Sequence, residues 1–267
     1  MRPTFGREYI KNEFQRIADG ISAPLTVYLI GGGAMALRDL KGATKDIDLV
    51  VPDGDAYGQL WAILVDRGYA EVHSLDDDYQ ALGATSCVEN DDGCRLDIYN
   101  QEVANTLVLT DGMCERSESF LVTDQLRVRL VSNEDIFLFK MIAGRDDDIE
   151  DMNELVQAGL DYDVVEEELE TQIDRLGDDQ FATFANEALV ELEERYGVTT
   201  PIEDHIQELT DRYYRGFEVL QALDEPMTVD GLAVELDLDT DEVRDRVAYL
   251  ATFDRIHRDG DRVRPVE

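Results

Sequence analysis

Asp46 and Asp48 are the residues of this chain whose type and spacing point most directly to chemistry. They lie in DIDLVV, a run otherwise made of Ile, Leu and Val, and residues two apart on a β-strand point to the same face. Two carboxylates held side by side repel one another unless a cation sits between them, and such hard oxygen donors suit a divalent ion such as Mg²⁺. Upstream, the β-branched and aromatic run TVYLI stops at Gly31-Gly32-Gly33. Without side chains the backbone can turn sharply there and a phosphate can approach closely. Farther on, RLDIY sets another carboxylate, Asp97, between apolar neighbours, as a charge on an edge strand would also be set.

The D-x-D spacing carries little by itself in so acidic a chain, because short motifs recur by chance. Asp53/Asp55 and Asp76/Asp78 share it and read as solvated loop residues. The setting separates Asp46/Asp48 from them: an apolar strand that begins about a dozen residues after a glycine turn.

The elements that must position these residues follow from periodicity and punctuation. Helices are predicted over 7–18, with Tyr9, Ile10, Phe14 and Ile17 at helical spacing, over 34–40, and over 57–67, closed by Gly68. Strands are predicted over 26–30 and 46–51. A hairpin over 84–89 and 94–99 turns at Asn90-Asp91-Asp92-Gly93 and could bring Cys87 opposite Cys94; a further strand pair falls within 120–131. Ser132 or Asn133 caps a helix with acids in its first turn, and this helix carries Lys140 in an apolar run. That lysine either snorkels to the surface or meets an anion.

The order of apolar strand, Gly-Gly, spacer and Asp-apolar-Asp resembles the signature of the nucleotidyltransferase superfamily that includes DNA polymerase β. A second stretch, EDIFLFKMIAGRDDDIEDMNEL, resembles one found after the core in abortive-infection and other small toxin-type nucleotidyltransferases, with Lys140, Arg145, Asp148 and Asp151 at the matching positions. The resemblance implies an α/β (α+β) mixed sheet flanked by helices. It implies that Asp97 joins Asp46 and Asp48 as catalytic, metal-holding carboxylates for Mg²⁺ or Mn²⁺. Gly32, Gly33, Lys45, Lys140, Arg145 and Asp148 would then contact a nucleoside triphosphate. The reaction it implies is transfer of a nucleoside monophosphate to a hydroxyl of RNA or protein, as in the toxin of a toxin–antitoxin pair. Active members place a small hydroxyl residue just after the glycines, where this chain has Gly33 and Ala34.

A nucleotidyltransferase-like domain is expected over 1–160 and a helical spacer or lid over 161–201, with Phe181, Phe184, Ala185, Leu189 and Leu192 facing a core and a linker near 197–201. Over 202–267, helices predicted at 206–223, 228–236 and 240–253 precede RIHRDGDRVRPV, whose alternation around Asp259-Gly260 reads as a two-residue hairpin. Leu209, Tyr213, Phe217 and Leu220 would form the buried face of the first, and Thr240 would cap the third. This order resembles a winged helix-turn-helix, which implies DNA contact through Arg244 and Arg246 on the recognition helix and Arg258 and Arg262 on the wing. Such modules also bind proteins, so a nucleotide-sensing or non-catalytic DNA-binding regulator stands beside the enzyme reading.

Of 267 residues, 61 are acidic and 24 basic, a formal net charge of −37, yet 43% are hydrophobic, so the chain is a folded one with an acidic surface. Only four of the 24 basic residues are lysine. This is the composition expected of a halophilic, cytoplasmic protein, in salt that screens charges beyond about 3 Å at 1 M. No apolar run approaches the roughly 18 residues of a membrane span, and no signal-peptide core is evident near Met1, so no membrane partner is expected. Cys87, Cys94 and Cys114 are read as reduced core thiols, and His73, His205 and His257 are too scattered for a zinc site.

Overall fold

The computed structural model describes residues 2–73, 83–103, 106–177 and 179–266. The Asp76/Asp78 pair lies outside the described residues. Helix α1 (Arg7–Ala18) covers a mixed sheet built from β1 (Leu25–Ile30), β2 (Asp46–Val51), β3 (Ala70–Glu71), β4 (Ser86–Glu89), β5 (Arg95–Asn100), β8 (Glu118–Val122) and β9 (Leu126–Leu130). A short pair, β6 (Glu102–Val103) with β7 (Leu107–Val108), stands apart. The sheet order is β3-β4-β5-β2-β1-β9-β8, with β2–β5 and β1–β9 parallel and the other pairs antiparallel. The expected mixed α/β architecture is therefore present.

Helices α2 (Gly31–Leu37), α3 (Gly54–Asp66), α4 (Asp111–Arg116), α5 (Asn133–Ala143), α6 (Asp146–Ala158), α7 (Tyr162–Leu176) and α8 (Phe181–Tyr196) flank it. Ser132 caps α5 through a complete capping box with Asp135. Asp53, expected in a solvated loop, instead caps α3 by accepting from the Ala56 N–H. The glycine triplet is not a bend ahead of a helix at 34: α2 begins at Gly31, which sits at φ +60, and the triplet forms its first turn. An added Cβ would press on Asp48 at Gly31 and on Thr44 at Gly32, while Gly33 has ordinary room against Ile47.

The segment expected as a spacer, α7 and α8, contributes Leu169, Phe181, Leu189 and Leu192 to the same hydrophobic cluster as the sheet, while Phe184 is turned to solvent. Cys87 pairs in register with Asp97, not with Cys94, and all three cysteines are free thiols. Among the described residues no helix is long and apolar enough to cross a membrane.

Beyond α9 (Glu203–Ala222) come β10 (Met227–Thr228), α10 (Val229–Leu236), α11 (Thr240–Thr252), β11 (Ile256–Asp259) and β12 (Arg262–Pro265), with the strands in order β10-β12-β11. Val219, Leu232, Val243, Val247, Leu250, Ile256 and Val263 make a second apolar cluster. The buried face of α9 runs through Ile206, Leu209, Gly216 and Val219, so Phe217 is 42% exposed, contrary to expectation. Gly216 lets Tyr249 of α11 come close, which rotates the contact line off Phe217. Asp239, not Thr240, caps α11, and the hairpin turns at Gly260-Asp261, one residue later than expected.

Candidate active site

Strand β2 lies inside the sheet, with Ile47 and Leu49 fully buried on one face and Asp46 and Asp48 on the other. Strand β5 pairs with it in parallel so that Asp97 stands in register with Asp48. β5 is thus an interior strand and not the edge strand that its single charge suggested. On the opposite side Ile30 of β1 pairs with Asp48, which brings the start of α2 over the carboxylate. A Cβ on Gly31 would stand 2.5 Å from Asp48 Oδ2, and with its φ of +60 the position favours glycine.

Asp46, Asp48 and Asp97 face a cleft of about 1050 Å³ whose far wall is the junction of α5 and α6. Burial, then the charges of Asp97 and Asp46, push the Asp48 carboxyl well above its ordinary range. Burial likewise raises Asp97, partly offset by the Cys87 thiol that donates to it and by Arg95. Asp97 is 2% exposed, and its Oδ1 has no hydrogen-bond partner. Arg2 donates to Asp46. Among the described residues no three His, Cys, Asp or Glu side chains are drawn together as a finished ligand group. The donor set nonetheless fits a hard divalent ion: carboxylate oxygens, one of them buried and orphaned, on a face whose mutual repulsion a cation would relieve.

The raised carboxyls make a prediction about pH. In the folded protein Asp97 takes up its proton at higher pH than in the unfolded chain, so its contribution favours folding near the ordinary carboxylate range and is lost as pH rises through the folded value. Asp97→Asn removes that dependence. In metal-free thermal melts the variant should gain stability relative to wild type as pH rises from about 4, the ordinary carboxylate value, to about 6. A constant difference across that range would show that Asp97 is not so perturbed.

The other expected ligands divide. Gly32 lines the cleft, but Gly33 packs on Ile47 of β2 and does not. Lys45 is half exposed at the rim, 3.6 Å from Asp147. Lys140 is not a free cation for phosphate: its Nζ lies 2.5 Å from Asp148 Oδ1 and 2.8 Å from Asp151 Oδ2, deep in the wall. Burial opposes its charge, but the two carboxylates outweigh that and hold it above the ordinary lysine range. Asp148, fully buried, is paired with Lys140 and with Arg145 Nε at 2.6 Å. Arg145 keeps a 37% exposed side chain toward the cleft.

Two cleft residues were not anticipated. Arg2 precedes every motif. Lys41 reaches Asp151 at 2.6 Å and lies 3.8 Å from where a Gly32 Cβ would stand. The signal that could have found Lys41 is scarcity, since Lys41, Lys45 and Lys140 are three of the four lysines and all line this cleft.

The arginines expected to meet DNA do not form one surface. Arg246 is 10% exposed, held between Glu218 at 2.6 Å and Glu242 at 2.8 Å, and Arg244 is paired with Asp241. Arg258 pairs in register with Val263 and Arg262 with Asp259, so these two wing arginines point to opposite faces of the hairpin.

The family model described as a nucleotidyltransferase of unknown function (DUF6036) matches residues 9–196, which span α1 through α8 and carry the three carboxylates and the α5–α6 wall. No curated protein matches the chain. With well over half of its length matched, and its glycine helix and aspartate strand inside the match, the chain belongs to this family of nucleotidyltransferases.

Proposed function

We propose that the chain is a Mg²⁺- or Mn²⁺-dependent enzyme that transfers a nucleoside monophosphate from a nucleoside triphosphate to a hydroxyl of RNA or protein. The observation that carries this reading is the registered pair Asp48 and Asp97, with an orphaned carboxylate oxygen, at the floor of an open cleft. Asp46, Asp48 and Asp97 would hold the ion, which when bound supplies charge neutralisation at the phosphates and activation of the acceptor hydroxyl. Lys41, Lys45 and Arg145, on the cleft walls, would orient the triphosphate; Lys140 and Asp148 would hold the wall that carries Arg145. The acceptor class and a toxin-like role rest on the resemblance of the Lys140–Asp151 stretch. A cytoplasmic setting in high salt rests on the acidic composition.

We read residues 202–267 as a winged helix serving protein contact in preference to DNA, because α11 carries Asp241, Glu242 and Asp245 and its arginines are spent on neighbouring acids. The test of the enzyme reading is incubation with α-labelled nucleoside triphosphates, Mg²⁺, and RNA or protein acceptors in concentrated salt. Label is expected to appear on one acceptor class and to vanish on chelation. Absence of transfer from every common triphosphate, under conditions where the protein is folded, would leave a nucleotide-sensing role in its place.

A further inference from the structure

We propose that Arg2 is a resident cation of the carboxylate face, held at Asp46 where a divalent ion would bind, and that metal binding displaces it. The proposal rests on the metal-dependent reading above, but it concerns a residue outside the span that the family shares.

Arg2 belongs to an N-terminal strap. Reciprocal backbone hydrogen bonds between Phe5 and Thr44, at 2.7 and 3.0 Å, lay the strap along the connection from α2 to β2. Pro3 sits against Gly93, where an added Cβ would come within 3.0 Å of its ring. Seated in this way, the strap delivers the Arg2 guanidinium to the Asp46 carboxylate and, at 3.3 Å, to the Lys45 carbonyl.

Three carboxylates on one face of a sheet need positive charge nearby. The cations of the opposite wall are committed elsewhere: Lys140 to Asp148 and Asp151, Lys41 to Asp151, Arg145 to Asp148. Two basic side chains stand at the trio: Arg2 on Asp46, and Arg95, which is in register with Asp46 on β5 and also lies 3.7 Å from Glu89; Arg2 is the one delivered from outside the sheet. A guanidinium on Asp46 Oδ1 occupies one of the two carboxylate oxygens and repels an approaching divalent ion, so ion binding at Asp46 works against the Arg2 contact. The apparent affinity of the ion is then reduced by the fraction of molecules in which Arg2 has let go. Arg2 is 29% exposed and Asp46 16%, a partly screened pair, so its removal should tighten ion binding by roughly fivefold.

The experiment is titration of the full chain with Mn²⁺ alone, free ion being followed by electron paramagnetic resonance in concentrated salt. The site is defined as the binding that Asp48→Asn removes. Arg2→Gln is expected to bind Mn²⁺ at that site about fivefold more tightly than wild type, and Arg2→Lys, which keeps the charge, to stay near wild type. Equal or weaker binding by Arg2→Gln would overturn the proposal while leaving the metal site standing. Should Asp48→Asn remove no Mn²⁺ from the wild-type chain, the metal-dependent reading and the role of Arg2 fall together. The strap is tied through Phe5 and Thr44 backbone groups, so Arg2→Gln should keep the wild-type fold, which a thermal melt checks.

Discussion

Asp48→Asn should abolish Mg²⁺-dependent nucleotide transfer, by roughly three orders of magnitude or more, without lowering the melting temperature of the metal-free protein. The two halves of this expectation have one cause. Asp48 sits between Asp97 in register on one side and Gly31 on the other, so its charge is desolvated and faces a second buried carboxylate. In the absence of a cation that arrangement opposes folding, and the nearly isosteric amide relieves it. With a cation the same repulsion becomes attraction, because the ion meets both carboxylates, including the Asp97 oxygen that has no hydrogen-bond partner. A bound ion contributes several kcal/mol to a phosphoryl-transfer barrier, and each 1.4 kcal/mol is about tenfold in rate. Loss of activity together with equal or higher stability would mark Asp48 as a residue kept for function. Transfer at the wild-type rate would remove the carboxylate face from the mechanism, and a large drop in melting temperature would make Asp48 a structural residue.

Much of this site was legible in the sequence, for reasons that can be named. Alternation in DIDLVV is a local property, and it placed both aspartates on one face without knowledge of any neighbour. The capping box at Ser132 is equally local. Asp97 needed more. Its strand could be found from RLDIY, but the parallel pairing that sets it beside Asp48 is a contact across about 50 residues of chain, and only the family resemblance pointed to it. The cations were least legible. A lysine in an apolar run can meet a phosphate or a carboxylate, and the sequence around Lys140 does not distinguish them; the fold does, by bringing the first turns of α6 against α5. Arg2 escaped notice because a short N-terminal segment with no periodicity carries no signal of where its side chains go. The same limit applied to α11, where Arg246 looked available in one dimension and is consumed in three by Glu218 of α9.

Lys140→Met should cost about 3–5 kcal/mol of stability, far more than Lys45→Met, which should stay within about 1 kcal/mol. Both lysines line the cleft and both were candidates for the triphosphate, so the contrast decides which kind of residue each is. Lys140 is 9% exposed and lies between Asp148, fully buried, and Asp151 at 4%. Methionine matches its stem in volume but leaves Asp151 with Lys41 as its remaining cation and Asp148 with Arg145. The dominant effect is then a buried carboxylate stripped of its closest countercharge, which burial penalises heavily. Lys45, 54% exposed and 3.6 Å from an exposed Asp147, loses only a screened pair. Denaturant unfolding of both variants, in the salt used for activity, measures the two costs. A Lys140→Met protein as stable as wild type but unable to bind nucleotide would return that lysine to the phosphate. The expected result assigns it to the wall, where it holds Arg145 and the α5–α6 junction in place for whatever enters the cleft.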